Sequence, residues 1–122
     1  MNNKPISNGN PCKFKFSFKN LHKMFGLTTN QLHILLSEKR IEKNKVLLSE
    51  KTLSKGAYYR MKDQAITNIT KSMMLISLLL SCDIISYDDM ISIITTSSRL
   101  IEEDIPPNEI YDRIKDFLKR ML

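Results

Sequence analysis

An all-α fold is what this sequence predicts: a single domain of about five helices, organised around one long central helix. Three observations carry the prediction. Between Ser54 and Cys82, the residues Ala57, Met61, Ala65, Ile69, Met73, Ile76 and Leu80 recur at three- and four-residue steps, which marks one face of a continuous helix. Downstream, two further apolar stripes of helical spacing each follow a start signal. Only three glycines occur in 122 residues, and strand-like alternation is scarce. The length suits one domain, in the usual range of roughly 100–200 residues. It also allows a core large enough to fold without disulfides or metal. At 42% hydrophobic and 26% charged, the composition is that of a soluble globular protein.

In chain order, residues 1–12 are rich in Asn, Gly and Pro and read as a flexible tail ahead of a helical domain over 13–122. Lys13, Lys15 and Lys19 then alternate with Phe14, Phe16 and Phe18. That alternation fits a short strand or arm. The arm either anchors three phenylalanines on the core or lies along a phosphate backbone. From Phe18 to Ile41 the expectation is a short helix, a turn and a second helix. Leu21, Met24 and Phe25 give the first apolar face, and Gly26 breaks it. Thr28 with Gln31 has capping-box spacing, and Leu32, Leu35 and Leu36 give the second face. Residues 42–53 mix Val46, Leu47 and Leu48 with lysines and fit a linker, a short helix or a wing-like hairpin.

Ser54 is the expected N-cap of the long helix, whose first part is basic and whose last part, Met73 to Cys82, is almost wholly apolar. Ser86 and Asp89 repeat the capping pattern, and Met90, Ile94 and Ile101 continue an apolar face beyond them. Pro106 and Pro107 stop that helix and open a last one, with Ile110, Ile114, Phe117 and Met121 as its stripe. Lys119 and Arg120 suit the negative end of its dipole.

Charge divides the chain. Residues 1–62 hold thirteen Lys and Arg against three acids (Glu38, Glu42 and Glu50), while residues 63–122 hold six against ten. The split points to an anionic partner for the first half: a basic, nucleic-acid-facing part over 18–72 and an apolar and acidic interaction part over 73–122. A Lys-rich face that only confers solubility is the alternative. Met73, Met74, Ile76, Leu79 and Leu80 are the expected dimer interface, with a buried central helix in a monomer as the competing account.

Leu21, Phe25, Gly26, Leu27, Leu32 and Leu35 together resemble the helix-turn-helix family over about Phe18–Arg40. That family has apolar positions in both helices and a glycine in the turn; His22 stands where it usually has a small residue. The resemblance implies a DNA-binding domain whose second helix reads base edges with Thr29, Asn30 and His33. A second register is similar to the sigma region-four type, in which Leu53–Arg60 opens the reading helix. It implies Lys55, Tyr58, Tyr59 and Arg60 as readers. In either register Lys13, Lys15, Lys39, Arg40, Lys43, Lys45, Lys55 and Lys62 meet phosphates.

No pattern for catalysis stands out. His22 and His33 lack zinc-ligand spacing, and neither a phosphate loop nor a nucleophile elbow is present. The expectation is therefore a protein that is not an enzyme and needs no metal, cofactor or small ligand. Cys12 and Cys82, without recognisable spacing, fit a reduced cytoplasmic protein. The apolar run ending near Leu80 is far short of the roughly 20 residues of a membrane span. Function follows as a small transcriptional regulator, a homodimer on duplex DNA. The alternatives are an RNA-binding protein or a helical adaptor that uses its Met/Leu-rich face.

Overall fold

The computed structural model describes residues 22–48 and 51–122, with the side chains of residues 22 and 23 left aside. The expectations for the tail over 1–12, for the alternating arm and for Leu21 lie outside these residues. The elements are α1 (His22–Phe25), α2 (Thr29–Leu36), β1 (Arg40–Glu42), β2 (Lys45–Leu47), β3 (Thr52–Ser54), α3 (Lys55–Ser81), α4 (Tyr87–Glu102) and α5 (Pro107–Met121). Helix predominates, but the fold is not purely α. Among the described residues there are four helices of two turns or more, a single helical turn at α1, and a three-stranded sheet where the all-α reading expected none. The second helix is shorter than expected, ending at Leu36 rather than near Ile41, because Arg40–Glu42 enters the sheet.

Two compact units divide the described chain, one through Asn68 and one from Ile69 to Leu122, so that α3 contributes a segment to each. In the first unit, Gly26 takes φ +71° between α1 and α2, a left-handed conformation that other residues adopt only with strain. Space is not the reason, since a Cβ there would meet nothing within 4 Å. Thr28 then caps α2 reciprocally. Its Oγ1 accepts from the Gln31 N–H at 3.1 Å, and Gln31 Oε1 accepts from the Thr28 N–H at 3.2 Å.

The sheet is an antiparallel meander in the order β1-β2-β3. Its register aligns Ile41, Val46 and Leu53 in one cross-strand row, while Arg40, Glu42 and Lys45 fall on the opposite face. Val46 is wholly buried and joins Ile34, Leu48 and Tyr58 in the core, with Leu53 and Met61 packed against them. Gln31 Oε1 also accepts from Asn68 Nδ2 at 3.1 Å, tying α2 to α3.

In the second unit, α4 packs on α5, and Leu100 and Ile110 are buried there. Helix ends follow the residues that announce them. Ser86 Oγ accepts from the Asp89 N–H at 3.1 Å, and Pro107 opens α5. The other ends depend on aspartate. After α3, Asp83 takes φ +59°, its N–H reaches the Leu80 carbonyl at 3.2 Å, and the Ile84 N–H reaches that of Leu79 at 2.9 Å. After α4, Asp104 repeats the pattern with φ +62°: its N–H reaches the Ile101 carbonyl and the Ile105 N–H reaches that of Leu100, both at 3.1 Å. Both are Schellman endings with aspartate in the place glycine usually takes.

Candidate nucleic-acid interface

Every basic residue that the sequence nominates and the structure describes belongs to the first unit, and the loop between β1 and β2 gathers several of them. Lys43 and Asn44 form a two-residue hairpin loop, with Lys43 at φ +51°. The Asn44 carbonyl accepts from the Lys55 N–H, the first residue of α3, at 3.0 Å. Lys45 stands opposite Ser54 in the ladder, and Ser54 Oγ accepts from the Ala57 N–H at 3.1 Å, capping α3 as expected. These bonds fix the hairpin tip beside the start of α3. Lys43, Lys45 and Lys55 are thereby neighbours, all exposed, with Glu42 the nearby acid. The described part of residues 42–53, which the sequence left open, thus supplies the hairpin turn, β2 and the start of β3.

The remaining nominees separate cleanly by burial. On α3, Lys55, Tyr59 and Lys62 follow one another at i, i+4 and i+7 and share one face. Tyr59 is 48% exposed, whereas Tyr58 is 3% exposed and belongs to the core. Tyr58 is therefore withdrawn as a contact residue: the ring fills space beneath the sheet. Its edge-to-face contact with Tyr59 (centroids 5.0 Å apart, planes at 83°) holds the exposed ring against it. Lys39 lies over the Tyr58 ring at 5.0 Å, so one nominated cation already has an aromatic contact. Arg40 is exposed and paired with Glu42 at 3.2 Å. Arg60 is exposed on the side of α3 away from the core.

The readers nominated on α2 fare differently. Gln31, Leu32, His33 and Ile34 are all buried, and four successive residues exceed one helical turn. The middle of α2 is enclosed on every side. His33 is withdrawn as a base-edge residue for that reason. Thr29 and Asn30 are half-buried, and Asn30 Oδ1 accepts from Lys51 Nζ. Lys51, which the sequence reading did not nominate, is thus a further cation of this unit; its position just before β3 in an undecided stretch hid it.

No group of three His, Cys, Asp or Glu that could hold a metal occurs among the described residues. A concavity of about 350 Å³ between α4 and α5 is lined by Ile93, Leu100, Ile110, Ile114 and Phe117, with Ser92, Thr96, Ser97, Arg113, Asp116 and Arg120 as its polar residues. Among the described residues no helix is long and apolar enough to cross a membrane. Compared with known protein families, curated proteins and solved structures, the chain finds no match.

Proposed function

We propose that the first unit docks on duplex DNA through its hairpin and the start of α3, and that the protein is a small DNA-binding regulator. The observation that carries this reading is the Lys55 N–H to Asn44 carbonyl bond, which holds Lys43, Lys45 and Lys55 in one exposed group. Three ammonium groups fixed on rigid elements suit a phosphate backbone, where each contact releases bound counterions and makes affinity salt-dependent. Arg60, Lys62 and Arg40 extend the group. Tyr59 and Arg60 are the side chains in this part of α3 that suit base edges, since guanidinium and phenol both hydrogen-bond there. This follows the second register of the helix-turn-helix reading, with α2 as scaffold.

The test is fluorescence anisotropy of a labelled mixed-sequence duplex, titrated with the full chain at two salt concentrations. The expected result is salt-sensitive binding that the triple variant Lys43→Ala, Lys45→Ala, Lys55→Ala weakens roughly 100-fold at low salt. The slope of log affinity against log salt should fall by about 2–3. Absence of binding at tens of micromolar protein would overturn the reading. Preference for single strands that Tyr59→Ala abolishes would instead favour RNA, since exposed aromatics stack on unpaired bases.

A further inference from the structure

The second unit presents a surface that a soluble monomer has no use for. Met73, Met74, Leu75 and Leu78 on α3 and Tyr87, Ile91 and Ile94 on α4 are between 53% and 68% exposed. On α3 the apolar residues from Met73 to Leu80 lie on every side of the helix, a pattern that belongs to helices surrounded by other protein. Ile76, Leu79 and Leu80 are half-buried within the unit, so the side bearing Met74, Leu75 and Leu78 is the one left open. On α4, Ile93 and Leu100 belong with the α5 side. Tyr87, Ile91 and Ile94, at i, i+4 and i+7, form a separate outer stripe. Helix α4 therefore has two apolar faces, one of them turned to α5.

We infer that this surface binds a second copy of the chain, with the two α3 helices side by side and antiparallel. Area is the first argument. Met74, Leu75 and Leu78 with Tyr87, Ile91 and Ile94 offer on the order of 700 Å² per copy, close to the share each partner contributes to a stable interface of standard size. Charge is the second. The open face of α3 runs Lys71, Met74, Leu75, Leu78, Cys82, at i, i+3, i+4, i+7 and i+11, and no charged residue lies between Lys71 and Asp83. An antiparallel copy meets this apolar run with its own and brings the basic Lys71 end of each run to the acidic Asp83 end of the other. A parallel copy would oppose lysine to lysine and aspartate to aspartate. The inference uses residues of the second unit alone and is independent of DNA binding by the first.

Sedimentation equilibrium on the full chain, from below 1 to about 100 micromolar, tests the association. Wild type is expected at twice the 14.2 kDa chain mass. The double variant Leu75→Lys, Leu78→Lys should sediment as a monomer, its dissociation constant raised at least 100-fold, with helix content by circular dichroism kept. Ile91→Lys, on the outer stripe of α4, is a second disruption should the double variant lose its fold. A wild-type monomer throughout the range, or a dimer that survives both variants, would overturn the inference. Cysteine cross-linking tests the orientation. In a Cys12→Ser background, antiparallel helices keep the two Cys82 residues about 16 Å apart, being eleven residues at 1.5 Å each, and too far for a disulfide. Adding Lys71→Cys should yield a 71–82 cross-link between chains under mild oxidation, identified by peptide mass. Ready Cys82–Cys82 cross-linking would overturn the antiparallel arrangement.

Discussion

The two units of this chain handle apolar side chains in opposite ways. The first closes its own core: Val46 is wholly inaccessible, Tyr58 nearly so, and outside it, among the described residues, stand six exposed lysines and arginines beside the scattered, half-exposed Phe25, Ile41, Tyr59 and Ile66. The second buries Ile85, Leu100 and Ile110 and leaves methionine, leucine, isoleucine and tyrosine at its surface. One helix takes part in both. Over Tyr58, Met61 and Ala65 its apolar side chains are covered, and over Met73 to Leu78 most are not. Periodicity shows that a helix has an apolar face, but the neighbours decide whether that face is interior. The exposed surface of the first unit is therefore informative through its basic residues, that of the second through the uncharged apolar run between Lys71 and Asp83.

The adjacent tyrosines test this contrast most sharply. Tyr58→Ala removes a buried ring from the core of the first unit and should cost about 3–5 kcal/mol of stability, the range for aromatic truncation in a core. Tyr59→Ala, one residue along, should cost under about 1 kcal/mol, since half of that ring already meets solvent. Urea unfolding followed by circular dichroism measures both. Equal losses would mean that the exposed ring is as structural as the buried one, and the division between core and interface on α3 would fail.

Gln31→Ala comes next in size. Its side-chain oxygen serves both the Thr28 N–H and Asn68 Nδ2, so the variant removes half of the capping box and a tie between α2 and α3 together. A loss of about 1–3 kcal/mol is expected, because the Gln31 side chain is buried and its partners lose their acceptor. Calorimetry should show the loss in the transition of the first unit. A shift in the stability of the second unit alone would contradict the division within α3.

Much of this architecture is legible in the sequence because it is local. Ser54, Thr28 and Ser86 cap where their spacing indicates, and α3, α4 and α5 begin and end within a residue or so of their signals. Those signals work through backbone groups three or four residues away. The sheet is less legible. Three strands of three residues carry too few alternations to show a period, and Ile41 and Val46 share a face only through pairing across the hairpin. The site divides along the same line. Charge and its bias to one half are read directly, whereas the burial of His33 and the choice between Tyr58 and Tyr59 depend on which neighbours the fold supplies. The Lys55–Asn44 bond that assembles the basic group joins elements no pattern connects.

The smallest expected effect separates stability from function at a single residue. Lys43 occupies the first position of a two-residue hairpin loop at φ +51°, where primed turns require a positive φ and favour glycine. A side chain in that region is held against its own backbone, and glycine is not. Lys43→Gly should therefore stabilise the first unit by about 0.5–1 kcal/mol, read as a rise in its urea midpoint. The same change deletes one ammonium from the group beside Asn44. Affinity for duplex DNA should fall several-fold at low salt, and the salt slope should drop by about 1. Opposite signs in the two measurements would mean that lysine is kept in a strained turn for its charge. A gain in stability with DNA binding unchanged would remove the hairpin tip from the interface and leave docking to Lys55, Arg60 and Lys62 on α3.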